Sequence, residues 1–396
     1  MTSPQTATIL TPEERLARRN LIVRDAFSLL TLFLITTAIF GLTWLLYQSF
    51  RGHQQELGLR WKARGEAALQ AGRPREAVDA LRSALMYVPT RETEIELATA
   101  LAAAGRTPEA ASYFESLWES APGDGLINLE LARLAAKQGQ EAAAIQHYQA
   151  SLDGTWQGNG FNRRREIRLE LARYLISRKQ DGQARAQLLI ASSNAPDDPA
   201  IKLEVAGLLE QANDPQDALG IYRSVAARKN APIAASLDAG RTAFGLGQYR
   251  VAAQYLGRAL GSSQVEKLPD NEKMAERNML DTSLHILLLY PALNLAPDQR
   301  AERILSARST ARARLLECAA SNGTAAGQLA PLVARWDQLP ARLTLKAMEQ
   351  DPDLEQSMMQ LIYDTEILTA QVCGPPAGDD ALLLRIAQNP DGVELD

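Results

Sequence analysis

Apolar and polar positions divide the chain into three stretches of different pattern. From Ala26 to Tyr47 (AFSLLTLFLITTAIFGLTWLLY) nearly every side chain is apolar, and no charged residue occurs between Asp25 and Arg51. At about 1.5 Å per residue, such a helix crosses a hydrocarbon core of about 30 Å. Its hydroxyls are of the kind that bond back to their own helix, and Trp44 and Tyr47 stand at its C-terminal end, where amphipathic rings favour the headgroup layer. A cleaved signal peptide has a shorter apolar region followed by a small-x-small site. Here the exit reads Gln48-Ser49-Phe50-Arg51-Gly52-His53, so the segment reads as a retained anchor.

The second stretch, residues 58–262, alternates short helical patterns with turns at a period near 34 residues. In a unit starting at Gly58, Trp61, Gly65, Ala77, Leu81 and Pro89 fall at positions 4, 8, 20, 24 and 32, with the turn Ala71-Gly72-Arg73-Pro74 between its two helices. A second unit starts near Arg91 (Leu97, Ala98, Leu101, Gly105, Ala110, Phe114, Pro122) and a third near Gly125 (Leu131, Ala132, Gly139, Ala144, Tyr148). A fourth starts near Arg165 (Leu171, Ala172, Leu175, Ala184, Leu188, Pro196), a fifth near Pro199 (Val205, Ala206, Leu209, Ala218, Tyr222) and a sixth near Ile233 (Ala239, Gly240, Gly247, Ala252, Leu256, Ala259). Leu-Glu-Leu-Ala-Arg occurs at both 129–133 and 169–173, and the surplus spacing falls in the Gly-rich stretch 153–160, which predicts a loop. The run Arg163-Arg164-Arg165 reads as a charged start to that loop's flank. In the fifth unit Val225 and Asn230 stand where the pattern wants a small residue and a proline.

Small residues at positions 8 and 20 let two helices approach, and a large one at 24 fills the gap between them. Each helix pair cannot bury its own apolar face, so stacking is what creates a core. The pattern resembles the tetratricopeptide repeat family over about half of the chain. That resemblance implies an all-α solenoid of about six repeats, a right-handed superhelix, and a concave face, lined by the first helix of each pair, that binds peptides or other proteins. Beyond Asn271 the repeat register fades while helical periodicity continues, predicting helices from Met274 to Leu295, Pro297 to Ala320, Leu329 to Gln338 and Pro352 to Val372. Residues 270–390 therefore read as a C-terminal capping region closing the apolar end of the solenoid, followed by a short, acidic, frayed tail after Asn389.

Composition narrows the function. Sparse aromatic and β-branched residues favour helices over sheets, and the net charge of -5 with no basic stripe argues against a nucleic-acid partner. No G-x-S-x-G, phosphate-binding Gly-rich loop or H-E-x-x-H occurs, and His53, His147 and His285 are scattered without a second histidine or a cysteine at helical spacing. The expectation is a protein without catalytic activity, cofactor or metal. Cys318 and Cys373 have no C-x-x-C spacing. Outside the cytoplasm they could bridge; in a reducing compartment they would be two buried thiols.

Orientation rests on a tie. Arg15, Arg18, Arg19 and Arg24 precede the span and Arg51, Arg60, Lys62 and Arg64 follow it, but three of the downstream four lie in the first repeat. We therefore expect residues 1–25 to be a cytoplasmic tail and the repeats to be periplasmic, since the layout resembles single-pass tetratricopeptide proteins of bacterial inner membranes. In the family's register, Lys62 (position 5) and Arg133, Arg173 and Arg241 (position 9) face the groove, with Leu129, Leu169, Leu203, Leu237 and Phe244 as apolar groove candidates that equally suit the core. Guanidinium groups on rigid helices suit the carboxylates of an acidic or C-terminal peptide, although the same arginines also suit a solvated face. The functional expectation is a membrane-tethered scaffold or assembly factor. The alternatives are a fixed structural or regulatory subunit of a membrane complex and a cytoplasm-facing docking platform; the oligomeric state stays open.

Overall fold

The computed structural model describes residues 12–194, 198–321, 323–339, 343–390 and Val393; Pro196 of the fourth unit and nearly all of the acidic tail lie outside these. The chain is an all-α solenoid of tetratricopeptide type, and it divides into two compact units, residues 1–160 and 161–396.

The first unit begins with α1 (Pro12–Gln70), a single helix that contains the apolar stretch and runs on into the first repeat. Residues 12–25, read from sequence as a tail, are helical where described and continuous with that stretch. The apolar window is wholly unburied by the rest of the chain, and it alone among the described helices is long and apolar enough to cross a membrane. Its hydroxyls are satisfied within the helix: Ser28 Oγ donates to Arg24 O at 3.0 Å and Thr37 Oγ1 to Phe33 O at 2.8 Å, so the span carries few polar groups that need water.

The end of α1 packs on α2 (Pro74–Tyr87), and α3 (Arg91–Ala103) with α4 (Thr107–Ser120), then α5 (Gly125–Lys137) with α6 (Glu141–Asp153), complete the unit's helix pairs. The second unit holds α7 (Gly160–Ser177) with α8 (Asp181–Ser193), α9 (Pro199–Gln211) with α10 (Pro215–Ala226), and α11 (Ile233–Gly245) with α12 (Tyr249–Leu260). Arg163, Arg164 and Arg165 lie inside α7, correcting their assignment to a loop: the helix begins as soon as the Gly-rich stretch ends.

The spacing of small and large residues has a direct steric cause. A Cβ on Gly65 would lie 2.5 Å from Leu81 Cγ, and one on Gly240 would lie 2.6 Å from Leu256 Cγ. In both repeats position 8 must be empty for the position-24 leucine to enter. Elsewhere alanine takes that place opposite the buried Phe114, Tyr148, Leu188 and Tyr222, while the position-20 alanines, Ala77, Ala110, Ala144, Ala184, Ala218 and Ala252, are all fully buried. Val225, the departure in the fifth repeat, is accommodated and fully buried.

One backbone feature recurs at the fifteenth position of every repeat. Gly72, Gly105, Gly139, Lys179, Asn213 and Gly247 all have left-handed φ, between 56° and 77°. Each ends the first helix of its pair, and the following amide reaches back to close the terminus, as in Arg106 N to Leu101 O, Gln180 N to Leu175 O and Asp214 N to Leu209 O, all 2.9 Å. Glycine adopts this conformation without a Cβ clash, whereas Lys179 is held there at a cost of about 1 kcal/mol. Lys179→Gly should therefore raise stability by roughly 0.5–1 kcal/mol in denaturant titration, less than the full steric cost because glycine gains freedom in the unfolded chain. A loss of stability would show that the lysine side chain contributes more than its backbone costs.

The Gly-rich loop folds back on its own unit. Gly125 N donates to Thr155 O at 3.0 Å and Thr155 N to Gly123 O at 2.8 Å, while Trp156 lies where a Cβ on Gly125 would be and bonds Ser151 O at 2.9 Å.

After a 3-10 turn (Ser263–Lys267), α13 (Asp270–Leu289) packs on α12, in the place a further repeat's first helix would occupy. Then α14 (Pro297–Ser321), α15 (Gly323–Asp337), α16 (Leu345–Gln350), α17 (Pro352–Cys373) and α18 (Gly378–Gln388) build a bundle about α14 and α17. The helix predicted to reach Leu295 stops at Leu289, because Pro291 disfavours helical backbone at Tyr290, which is extended. The bundle has its own core, including Ile304, Leu315, Trp336, Met348, Ile362 and Ile386, joined by Tyr249 of the last repeat. Val393, in the tail read as frayed, is fully buried in this core; the residues on either side of it lie outside the described set.

Candidate functional site

The first helix of each pair carries the charged residues singled out from sequence, and the structure gives each a carboxylate neighbour. Lys62 Nζ lies 3.1 Å from Glu96 Oε1 on the next repeat's first helix and 3.8 Å from Glu66 on its own. Arg133 Nη1 donates to Glu130 Oε1 at 2.7 Å. Arg173 bonds Glu204, again one repeat onward. Arg241 has the densest set: Asp238 at 3.3 Å, and Glu272 and Glu276 of α13 at 2.5 Å each.

These acids were missed in the sequence, although they carried a signal there. Glu96, Glu130, Glu170, Glu204 and Asp238 all fall at position 6 of their repeats, so acid recurs with the repeat while the position-9 cation appears in only three of six. One helical turn separates positions 6 and 9, which is why Glu130 and Asp238 meet the arginine of their own helix. Because Glu276 is 1 % exposed, its ion pair with Arg241 is largely shielded from water, while one of its oxygens has no partner. Burial raises the pKa values of Glu276 and Asp238 above the ordinary carboxylate range, making both weaker acids, and Arg241 opposes that shift at both. Burial likewise raises Glu96, against the pull of Lys62. Nearby, Tyr222 Oη donates to Glu210 Oε2 at 3.1 Å and Thr242 Oγ1 to Glu210 Oε1 at 2.5 Å, and burial pushes the Tyr222 phenol strongly upward.

The apolar candidates divide. Leu129, Leu169 and Leu237 are buried in the core, Leu203 is half-buried, and Phe244 stands at the end of α11, with its ring centroid 5.6 Å from that of Tyr249. Phe244 and Tyr249 share a hollow of about 490 Å³ with Pro375, Pro376, Leu384 and Arg385, and the Arg385 guanidinium lies 5.4 Å over the Phe244 ring. Within each unit the first helices thus carry ion pairs that can be exchanged, and in the second unit Phe244 adds an aromatic surface.

Cys318, at the end of α14, and Cys373, at the end of α17, lie sulfur to sulfur at bonding distance with Cα atoms 6.0 Å apart, within the range a disulfide requires. A second cluster, also missed in the sequence, joins the buried Glu366 of α17 to the half-buried Asp380 of α18 and Arg314 of α14; its members are scattered over 66 residues and no repeat aligns them. Among the described residues no group of three or more His, Cys, Asp or Glu could hold a metal ion.

Residues 95–159 match the family described as tetratricopeptide repeat. That stretch therefore carries tetratricopeptide repeats, which serve generally as non-catalytic surfaces for protein–protein contact. No curated protein matches the sequence at a significant level. Among solved structures, the chain is similar to pilF of Pseudomonas aeruginosa, with 18 % identity, 57 % of this chain and 99 % of that one covered, and a TM-score of 0.39. It is also similar to a tetratricopeptide repeat protein from Parabacteroides merdae, at 14 % identity over 58 % of this chain and 99 % of that one, TM-score 0.28. A third similarity, to the TPR2AB domain of yeast Sti1 in complex with pHSP90, has 16 % identity over 58 % and 98 % of the two chains, TM-score 0.25.

Proposed function

We propose that this chain, which carries tetratricopeptide repeats behind a helix able to cross a membrane, is a membrane-tethered scaffold or assembly factor. In this reading it captures partner proteins on the first-helix face of its repeats. The observation that carries the proposal is α1 itself: its apolar stretch stands unburied by the chain, and the same helix continues without a break into the first repeat. Burying that surface in lipid removes a large apolar area from water, and the uninterrupted helix leaves the repeats close to the bilayer. We place residues 26–47 in a bacterial inner membrane with the repeats on the periplasmic side. The paired Cys318 and Cys373 support that side, because disulfides persist in oxidising compartments.

Partner recognition follows from the ion pairs. An acidic peptide segment binds by taking over Lys62 and Arg133 of the first unit, or Arg173 and Arg241 of the second, from their resident carboxylates, so the number of ion pairs is conserved, and in the second unit the half-buried Leu203 and Phe244 add apolar contact. The row of acids at position 6 supports a second reading, in which a cationic segment binds the carboxylates instead. Arg133→Glu with Arg173→Glu separates the two. On the first reading, the amount of partner co-purifying from detergent extracts falls at least about ten-fold, the equivalent of roughly 1.4 kcal/mol, with helical circular dichroism unchanged. Increased capture would favour the cationic partner, and unchanged capture would remove the groove from the mechanism.

A further inference from the structure

We propose that Glu366 and Asp380 share one proton and form a pH-sensitive latch that holds α18 against α17. Glu366 is 0 % exposed, and neither of its oxygens has a hydrogen-bond donor; Asp380 Oδ1 is buried in the same condition. The two carboxyl groups lie within hydrogen-bond reach of one another, Glu366 on the buried face of α17 and Asp380 in the first turn of α18. Two ionised carboxylates have no donor to offer each other. A single proton supplies it and turns a repulsive contact into an O–H···O⁻ bond between the helices.

The surrounding charges do not remove the need for that proton. Arg314 of α14 is the nearby cation, but its Nη2 donates to Gly374 O at 2.9 Å and its Nε is buried without an acceptor. Glu317 of α14 and Asp379 of α18 add negative charge around Asp380, and His285 of α13 lies 3.3 Å from Asp379. Arg335 of α15 is bonded to Asp364, at 2.7 Å, and α16 meets this core through Met348. Burial first, and Asp380 second, push Glu366 up to about 8; burial also raises Asp380.

The latch acts on the end of the last repeat. Asn389, just past α18, donates to Leu246 O at 2.6 Å, and Leu384 and Arg385 of α18 wall the hollow that contains Phe244 and Tyr249. When α18 lifts, Glu366 meets water and its pKa returns to an ordinary value near 4.5. Between about pH 4.5 and 8, lifting therefore releases the Glu366 proton, which makes it up to about ten-fold more favourable per pH unit; above that window the Glu366 contribution is level. The docked state is thus most stable in acid and loses that advantage as pH rises to about 8. This inference does not depend on what the repeats bind.

Hydrogen exchange of the full chain in detergent, with the disulfide intact and rates corrected for the intrinsic pH dependence, tests it. Opening of α18 should rise at least about ten-fold between about pH 5 and 8, while α2 stays level. Glu366→Gln should flatten the α18 profile, and Asp380→Asn should move it to lower pH. A Glu366→Gln profile with the native slope, or an Asp380→Asn profile superposed on the native one, would overturn the latch. Should Glu366→Gln fail to fold, Asp380→Asn decides alone.

Discussion

Phe114→Ala is expected to lower the stability of the first unit by about 3–5 kcal/mol, the usual cost of deleting a fully buried aromatic side chain. Phe114 occupies position 24 of the second repeat, has no exposed surface, and lies in one cluster with Leu97, Ala98, Leu101, Ala110, Leu117, Ile127 and Leu131. Those neighbours come from α3, α4 and α5, so the ring joins two repeats as well as filling one. In a solenoid each repeat is stabilised chiefly by its neighbours, and a cavity at such a point weakens both the repeat and its coupling to the next. Urea titration of the full chain in detergent, followed by circular dichroism, measures the loss and shows whether the first unit unfolds earlier than the second. A change below about 1 kcal/mol would mean that the site collapses around the missing ring. An exposed pair such as Arg82–Glu109, 3.0 Å apart with both side chains 43 % exposed, should yield well under 1 kcal/mol in the same assay.

The second large effect is expected at Cys318 and Cys373. Bridging them closes a segment of 55 residues, and the chain-entropy estimate for a loop of that size is about 4 kcal/mol. Cys318→Ala with Cys373→Ala, or treatment with reductant, should therefore lower the melting temperature of the closing bundle and leave the first unit unaffected. The effect is local because the bond ties the ends of α14 and α17, the helices about which the bundle is built. Thiol labelling in intact spheroplasts adds the compartment: thiols that label only after reduction place the repeats outside the cytoplasm. Free thiols, with no change in melting on adding reductant, would contradict both the bridge and the proposed orientation.

Much of the repeat architecture was legible in the sequence because its causes are local or periodic. Gly65 and Leu81, or Gly240 and Leu256, face each other at a fixed spacing set by helix length and turn geometry, so a pattern of small and large residues reports their contact. The left-handed turn was legible where glycine stood, at Gly72, Gly105, Gly139 and Gly247. It was hidden at Lys179 and Asn213, where stacking enforces a conformation the residue itself disfavours. Arg133, Arg173 and Arg241 were found by register, but the carboxylates beside them were not, since a partner one repeat onward becomes a neighbour only after the helices stack.

The sequence by itself determined the apolar helix, the helix pairs and the turns between them, because hydrophobic periodicity, chain length and backbone sterics act over a few tens of residues. Beyond the last repeat the sequence also marked several helices, but tertiary structure alone decided how they pack. There Val393 enters the core, and Glu366 meets Asp380. These outcomes depend on which nonrepeating surfaces bury one another, and in the absence of a repeat no spacing in the sequence records those distances.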